Sequence, residues 1–387
     1  MSRRILVVDD EPDLKPLVLQ KYRKRIAAGE FEFHFANDGE HALRVLDDEP
    51  DIELIATDIN MPVMDGLTLL GHTRKLERLT KTIIVSAYDD LENIRTAMNR
   101  GAYDFVTKPI DFADLERTID KTLLELDELR KGREALERLS VLEYELKLAT
   151  KIQQSILPEI IEGHKDFEIG ATMLPARNVS GDFYDFFLME GNRLGLAIGD
   201  VSGKGIPAAL FMAVSRTLLR AVAMQGCPPA QCLEQVNRIL LKQSTGEVYL
   251  TLLYGIFDLN TGDFEFSSGG QPPPFLCASD REGIFLREPR GMMLGLVDEA
   301  HYESATVQIA PGDTLVFYTD GVTEAETEGG EFFTEARLQQ LLECSKKCPV
   351  RAITSKLVEA LETFTGGAGQ SDDITILAMR RRGEISH

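Results

Sequence analysis

The chain has 387 residues, 43% of them hydrophobic, and a formal net charge of −21. This length is too great for one hydrophobic core, so two domains are expected, and the hydrophobic content predicts that they are globular. The acidic balance argues against nucleic acid as the main partner, because phosphate backbones bind basic surfaces, and it also disfavours adsorption to anionic membranes.

The N-terminal stretch MSRRILVVDD has an apolar run too short for a signal sequence, and no segment approaches the length of a membrane span. We therefore expect a cytoplasmic protein without membrane contact. The five cysteines match no common zinc or redox spacing, and the six histidines form no metal motif. Reduced thiols are expected, and a histidine-rich metal site is not.

In the first predicted strand, the aliphatic run ILVV ends in the adjacent carboxylates Asp9 and Asp10. Such a pair is often only a solvated turn or the first turn of a helix. Three later apolar runs, however, end in Asp58, Ser86 and Lys108. Strands that alternate with helical segments predict a parallel sheet, which gathers the carboxyl ends of its strands at one edge. We therefore expect these five side chains to converge.

Three carboxylates in one pocket repel one another unless a hard cation such as Mg²⁺ lies among them. A lysine and a hydroxyl beside that ion would complete a cradle for phosphoryl oxygens. Residues 1 to about 125 resemble the receiver domain of two-component response regulators, and all five signature positions are filled. The resemblance implies an α/β fold with a doubly wound, five-stranded parallel sheet, Mg²⁺ as the cofactor and a histidine kinase as the phosphodonor.

The resemblance also implies a role for each residue of the receiver site. Asp58 would accept the phosphoryl group, and Ser86 and Lys108 would bind its oxygens. Phe105 occupies the position of the aromatic switch residue of the family, with plain core packing as the alternative. The residues implied to hold Mg²⁺ are Asp9, Asp10, Asp58 and the backbone carbonyl of Asn60.

After the receiver, residues 112–157 are rich in leucine and charged residues, which predicts one long helix. Residues of an apolar seam recur at alternating steps of four and three, with an interruption near Arg133. They are Leu115, Ile119, Thr122, Leu126 and Leu129, and then Leu139, Leu142, Leu146, Ala149, Gln153 and Ile156. A narrow seam predicts a coiled coil and a homodimer through this helix. The alternative is an amphipathic helix packed on the domain that follows.

From Pro158 onward, short strands alternate with glycine, and two helical passages are predicted at 206–225 and 334–363. Carboxylates recur in the motifs VSGDFYD, AIGDVSGKG, FYTDGVTEA and QSDDITI. They are Asp182 and Asp185, Asp200, Asp320, and Asp372 and Asp373. One such motif alone is common in surface turns, but here an apolar strand repeatedly ends in a carboxylate beside glycine. Ligand sets made only of acids suit Mg²⁺ or Mn²⁺.

Residues 145 to about 380 resemble the SpoIIE or RsbU type of metal-dependent Ser/Thr protein phosphatase, including the leading segment LATKIQQSILP. The resemblance implies an α+β domain over 158–382, a β-sandwich flanked by helices, with two Mn²⁺ or Mg²⁺ ions. Asp200 would bridge both metals and the Val201 carbonyl would join it on one; Asp182 would bind the second metal, and Asp320 and Asp372 the first.

This sequence departs from the phosphatase pattern at two positions. Gln271 stands where members often have histidine, and Ser180 replaces a common glycine. Neither is a metal position, so the resemblance still implies an active enzyme.

The two resemblances together imply a response regulator whose receiver, phosphorylated on Asp58, controls a phosphatase. The implied substrate is a phosphorylated anti-anti-sigma protein of the STAS type in a partner-switching pathway. The alternative is a receiver-controlled adaptor that binds a sigma factor or its regulator without catalysis, which the complete set of metal carboxylates disfavours. A transcription factor is also disfavoured, because 158–387 contains no recognition-helix unit with a basic surface.

Overall fold

The structure is a computed structural model that describes residues 2–76, 78–87, 91–243 and 248–383. The chain forms two compact units, Met1–Leu142 and Glu143–His387. The division falls inside a long helix, so the domain limits expected from the sequence, 1–125, 112–157 and 158–382, stay predictions.

The first unit is built on a parallel sheet. Its strands are β1 (Arg3–Val8), β2 (Phe31–Ala36), β3 (Leu54–Asp58), β4 (Lys81–Ala87) and β5 (Asp104–Lys108). Its helices are α1 (Leu14–Lys21), α2 (Arg23–Ala27), α3 (Gly39–Asp48), α4 (Gly66–Thr73), α5 (Leu91–Asn99) and the first turns of α6 (Phe112–Ile156). The strand order is β2-β1-β3-β4-β5 and every pair is parallel, which confirms the predicted doubly wound sheet.

Strand β1 explains why the sequence of this unit contains continuous apolar runs. Ile5 and Val7 belong to one buried cluster, whereas Leu6 and Val8 belong to another. Successive side chains of a strand point to opposite faces, so both faces of β1 are covered by helices. The polar residues of β1, Arg3 and Arg4, accordingly lie at its beginning, outside this buried run.

Helix α6 is one continuous helix, as predicted, but its apolar seam is not one continuous surface. Leu115, Ile119 and Leu126 are buried in the core of the first unit, and Thr122 is fully buried. These seam residues cover the receiver sheet and are not free to face a partner helix, which corrects that part of the coiled-coil prediction. The spacing alone could not reveal this, because a helix that covers a sheet has a similar apolar period.

The middle of the seam is exposed and its last part is not. Leu129, Leu139 and Leu142 are 43%, 53% and 56% exposed. Gln153 is only 5% exposed and packs within the second unit. A coiled coil therefore stays a prediction for the middle of α6, while the alternative of packing on the following domain is correct for the last turns.

The second unit contains two five-stranded antiparallel sheets. Its strands are β6 (Phe167–Leu174), β7 (Phe183–Met189), β8 (Arg193–Val201), β9 (Leu250–Asp258), β10 (Asp263–Gly269), β11 (Phe275–Cys277), β12 (Ile284–Phe285), β13 (Ala305–Gln308), β14 (Thr314–Tyr318) and β15 (Ile374–Arg381). Its further helices are α7 (Ile206–Ala223), α8 (Pro229–Gln243), α9 (Asp320–Thr323), α10 (Thr334–Ser345) and α11 (Val350–Thr365).

The two sheets stack with helices on their outer faces. The strand orders are β13-β10-β9-β8-β7 and β12-β11-β14-β15-β6. One buried cluster fills the space between the sheets, and two others pack α7 and α8 on the first sheet and α10 and α11 on the second. This confirms the predicted β-sandwich flanked by helices.

The helices of this unit differ from the prediction in two respects. The passage expected at 334–363 is two helices, because a turn that ends at Pro349, the N-cap of α11, separates α10 from α11. Helix α8 was not predicted.

Helix α7 contradicts the expectation that no segment approaches a membrane span. Among the described residues, it is the one helix that is long and apolar enough to cross a membrane, judged by length and composition alone. Its buried face nevertheless includes Arg216, whose Nη2 lies 3.1 Å from Asp185 Oδ1 on β7. The helix is therefore packed here as a core helix of the second unit.

Candidate functional site

In the first unit, the expected convergence of carboxylates is present. One carboxylate oxygen from each of Asp9, Asp10 and Asp58 lies within 4.8 Å of the others. Lys108 Nζ, at the end of β5, lies 2.9 Å from Asp9 Oδ2, 2.7 Å from Asp58 Oδ2 and 2.9 Å from Glu11 Oε1. The parallel sheet therefore brings acids from two strand ends and a lysine from a third into one pocket.

The charges of this pocket are partly balanced by the lysine. Burial raises the pKa of Asp9, and the hydrogen bond from Lys108 opposes that rise. For Lys108, burial lowers the pKa, but hydrogen bonds to Asp58, Glu11 and Asp9 outweigh burial and raise it overall. One ammonium group cannot neutralise the acids around it, and Asp10 is open to solvent. This set of oxygen ligands fits a hard divalent cation such as Mg²⁺.

The other predicted receiver residues lie around the same pocket. Ser86 is fully buried near the end of β4, one residue before the register partner of Lys108. The backbone N–H of Asn60 donates to Asp58 Oδ1 at 3.3 Å. Phe105 is 39% exposed, so its core-packing alternative is wrong, and its role as a switch residue stays a prediction.

In the second unit, four acids from both sheets lie close enough to influence one another, although among the described residues only the receiver acids bring three carboxylate oxygens within 4.8 Å of one another. Asp182 directly precedes β7, Asp200 lies near the end of β8, Asp320 begins α9, and Asp372 lies just before β15. Asp182 is 1% exposed, and its Oδ2 accepts a hydrogen bond from Thr319 Oγ1 at 2.8 Å. This hydrogen bond joins the ends of the two sheets.

The pKa shifts of these acids show that they influence one another. For Asp182, Asp200 and Asp320, burial is the largest cause of a raised pKa. The next cause is a neighbouring carboxylate in each case: Asp200 for Asp182, Asp320 for Asp200, and Asp372 for Asp320. The pKa of Asp200 rises to about 7. An acid-only set with this mutual repulsion fits Mg²⁺ or Mn²⁺ ions.

The predicted carbonyl ligand, Val201, also lies at this place. Its carbonyl oxygen is 2.8 Å from the position that a Cβ of Gly181 would occupy. A side chain at Gly181 would therefore displace the backbone next to Asp182. Glycine in the motif VSGD allows this close approach.

Sequence reasoning did not single out Lys204, which is the one cation paired with any of these four acids in the described part of the chain. Its Nζ lies 3.2 Å from Asp372 Oδ2 and also donates to the Ser371 carbonyl. It stands between Gly203 and Gly205, whose φ values of 94° and 79° suit glycine. The signal was present in the motif GKG.

Asp373, next to a cluster acid, has a different task. Its Oδ1 accepts from the Ala176 N–H at 2.7 Å, and its Oδ2 accepts from Ser180 Oγ and the Gly181 N–H, both at 2.8 Å. It thereby fixes the loop that leads to Asp182. Ser180, a departure from the family pattern, contributes a hydroxyl to this arrangement.

The end of helix α6 is bound to the same loop. Gln153 Nε2 donates to the Ser180 carbonyl at 2.7 Å, and the Ser180 N–H donates to Gln153 Oε1 at 2.9 Å. Thr150 Oγ1 donates to the Asn178 carbonyl at 2.6 Å. The sequence pattern placed Gln153 in a coiled-coil seam. In the structure, its side chain instead binds the backbone of Ser180, which lies two residues before Asp182.

Two further residues singled out in the sequence, Asp185 and Gln271, bond to side chains and backbone other than those of the four acids. Asp185 is fully buried, and burial raises its pKa against the opposing effect of Arg216 and Arg220, whose Nη atoms lie 3.1 and 3.5 Å from its Oδ1. Gln271 is one of the two departures from the phosphatase pattern. Its Oε1 accepts a hydrogen bond from Thr251 Oγ1, and its Nε2 donates one to the Tyr318 carbonyl.

Two family models match the chain. The response regulator receiver domain matches residues 5–120, and the model described as stage II sporulation protein E (SpoIIE) matches residues 190–382. The second match begins after Asp182, so that residue is placed by the structure and by its motif.

Known proteins resemble the second unit. The chain is 31% identical to the phosphoserine phosphatase RsbU of Bacillus subtilis (strain 168) over 242 residues, which are 62% of this chain and 70% of RsbU. The solved RsbU and RsbW domains of Rv1364c from Mycobacterium tuberculosis align with a TM-score of 0.50 and 30% identity, covering 58% of this chain and 62% of that one.

A third likeness concerns the fold alone. The SiaA-PP2C domain of Pseudomonas aeruginosa aligns with a TM-score of 0.56 and 22% identity, over 63% of this chain and 98% of that one.

The family is shown by the two family models and by the identity to RsbU. The chain belongs to the SpoIIE/RsbU family of metal-dependent protein serine/threonine phosphatases, and it carries a response-regulator receiver domain before the phosphatase domain.

Proposed function

We propose that this protein is a response regulator in which a histidine kinase phosphorylates Asp58 and thereby controls hydrolysis of phosphoserine or phosphothreonine by the phosphatase domain. The proposed substrate is a STAS-type anti-anti-sigma protein of a partner-switching pathway. These partners place the protein in the cytoplasm. The observation that carries the proposal is that one chain holds two acid clusters of different design, each at the strand ends of its own unit.

In the receiver, each residue has a distinct proposed task. Asp58 takes the phosphoryl group, and Lys108, 2.7 Å away, is placed to neutralise a phosphoryl oxygen. Ser86 is proposed to donate to another oxygen, and Phe105 to change position with phosphorylation. The proposed Mg²⁺ ligands are Asp9, Asp10, Asp58 and the Asn60 carbonyl.

In the phosphatase domain, the four acids and one carbonyl are proposed to hold two metal ions. Asp200 would bridge them and the Val201 carbonyl would join it on one; Asp182 would bind the second metal, and Asp320 and Asp372 the first. When bound, two such ions lower the pKa of a shared water and neutralise the phosphoryl group. Thr319 orients Asp182 through its hydrogen bond of 2.8 Å. Lys204 supplies a positive charge at the edge of the cluster.

Helix α6 is the proposed route between receiver and phosphatase. Its first turns belong to the receiver core, and its last turns hold the loop before Asp182 through Gln153. Because these hydrogen bonds tie the helix to the loop, a shift of the helix would move the loop and displace Asp182.

We also propose that the protein is a homodimer through the middle of α6. Leu136, Leu139 and Leu142 are each more than half exposed, although they are large and apolar. Light scattering should give a dimer mass, and Leu139→Lys with Leu142→Lys should shift the protein towards monomer, because the charges would be buried in the seam. The matched double variant Ser140→Lys with Glu143→Lys should remain a dimer. A monomer of the unmodified protein at high micromolar concentration contradicts the proposed dimer.

The proposed chemistry is tested with purified protein and excess Mn²⁺. The protein should hydrolyse p-nitrophenyl phosphate and a phosphorylated STAS-type protein, and a chelator should stop both reactions. If no phosphoserine substrate is hydrolysed in either state of the receiver, the chain acts as an adaptor that binds a sigma factor or its regulator.

A further inference from the structure

A cavity of about 220 Å³ adjoins the acid cluster of the second unit. Asp372 and Gly321 form part of its wall, so it is continuous with the place where the acids meet. Its lining includes the apolar side chains of Leu174, Val358 and Leu361, which together are called the floor below. An apolar cavity of about 150 Å³ suffices to bind benzene, so this one has room for an aliphatic or aromatic side chain.

Two acidic side chains, Glu326 and Glu362, also line the cavity. Glu326 is half-buried and Glu362 is exposed, and the pair is called the acidic rim below. Within the described part of the chain, neither carboxylate has a basic side chain in ion-pair range. Two unpaired acids beside an apolar floor are complementary to a segment that carries an apolar and a basic side chain.

The wall formed by the glycine-rich loop after α11 is held in place. The Gly366 N–H donates to the Glu362 carbonyl at 3.2 Å and ends the helix with φ of 63°. Gln370 Nε2 donates to the Leu174 carbonyl at 2.8 Å and to the Asp372 carbonyl at 2.7 Å. These bonds tie the cavity wall both to its floor and to the acid cluster.

We propose that this cavity is a substrate subsite. It takes an apolar side chain close to the phosphorylated serine or threonine, and the acidic rim selects a basic residue beside that side chain. The inference rests on the proposed phosphatase function, because Asp372 is shared between the cavity wall and the proposed metal ligands.

The test uses synthetic phosphoserine peptides. Leucine is placed in turn at each of the three positions on either side of the phosphoserine, with a neighbouring lysine, and each peptide is compared with its asparagine counterpart of similar shape. In one register, kcat/KM for leucine should exceed that for asparagine by about tenfold, the discrimination expected of an apolar pocket. The same peptides with a non-hydrolysable phosphonate, measured by fluorescence anisotropy, should show the same preference in Kd.

Two variants connect the preference to the cavity. Val358→Phe should fill the floor and remove the preference for leucine, while p-nitrophenyl phosphate hydrolysis stays unchanged. Glu362→Lys, on the exposed rim, should change the preferred neighbour from lysine to glutamate. Glu359→Lys on the same helix, outside the cavity, is the matched control and should change neither preference.

The outcomes separate the subsite from the catalytic proposal. A loss of the leucine preference in Val358→Phe, with the charge reversal in Glu362→Lys, supports the subsite. The absence of any leucine preference in the unmodified protein, in turnover and in phosphonate binding, overturns it. It is also overturned if the leucine preference survives in Val358→Phe and the lysine preference survives in Glu362→Lys. A failure to hydrolyse p-nitrophenyl phosphate contradicts the catalytic proposal instead, since phosphonate binding still reads the subsite.

Discussion

The receiver cluster and the phosphatase cluster are both acidic, but their charges are balanced in different ways. In the receiver, Lys108 lies within 2.9 Å of Asp9, Glu11 and Asp58. In the phosphatase domain, four carboxylates meet a single lysine within the described residues, and that lysine pairs only with Asp372.

The difference indicates how far each site depends on metal ions. A lysine at the centre of the receiver cluster offsets part of the repulsion between its acids without a metal ion. In the phosphatase cluster, burial and neighbouring acids raise the pKa of Asp182, Asp200 and Asp320, so the ionised acids need added cations.

The largest effect is expected from Asp200→Asn. Mn²⁺-dependent hydrolysis of p-nitrophenyl phosphate should fall by more than about 100-fold, because Asp200 is the proposed bridge and one lost charge there would misplace both cations. Steady-state kinetics measures the loss, and circular dichroism should show an intact fold. The exposed Asp280→Asn is the matched control. Wild-type turnover in Asp200→Asn would mean that the bridging assignment is wrong.

Metal removal should separate the two clusters by stability. Mn²⁺ at about 100 times its Kd stabilises a protein by about 2.7 kcal/mol, which is about 5–10 °C in Tm for a domain of this size class. In calorimetry of the full chain, Mn²⁺ should raise the Tm of the phosphatase transition, which is identified as the one that no longer shifts in Asp200→Asn. Mg²⁺ should raise the Tm of the receiver transition by less. Equal shifts of both transitions would contradict the proposed difference between the clusters.

A smaller effect is expected from Lys204→Met. The lost ammonium should raise KM for a phosphoserine peptide and Ki for inorganic phosphate by about tenfold, the value of one charge-assisted hydrogen bond. Lys204→Arg should recover part of the affinity, and the exposed Lys347→Met should behave as wild type. An unchanged Ki for phosphate in Lys204→Met would mean that Lys204 does not bind the substrate phosphate.

Much of the fold could be predicted because its signals are local. Apolar runs such as ILVV indicate buried parallel strands, and the glycines next to Asp182, Asp200 and Asp320 indicate a close backbone approach. At Gly66, for example, a Cβ would lie 2.0 Å from the Asp58 carbonyl oxygen.

The residues that the sequence did not reveal act through tertiary contacts. Leu115 and Leu126 have coiled-coil spacing, yet the receiver sheet covers them. Gln153 also has seam spacing, but its side-chain amide pairs with the Ser180 backbone. Hydrogen bonds between distant segments leave no period in the sequence, so only the fold could reveal them.

Control of the phosphatase by the receiver is tested most directly by one measurement. The full-length protein is labelled with acetyl phosphate, freed of the reagent, and assayed with Mn²⁺ on a phosphoserine peptide beside unlabelled protein. The account predicts that the rates differ by at least about fivefold, the lower range of allosteric coupling, and that Asp58→Ala shows neither the label nor the difference. Equal rates for labelled and unlabelled wild-type protein would contradict it.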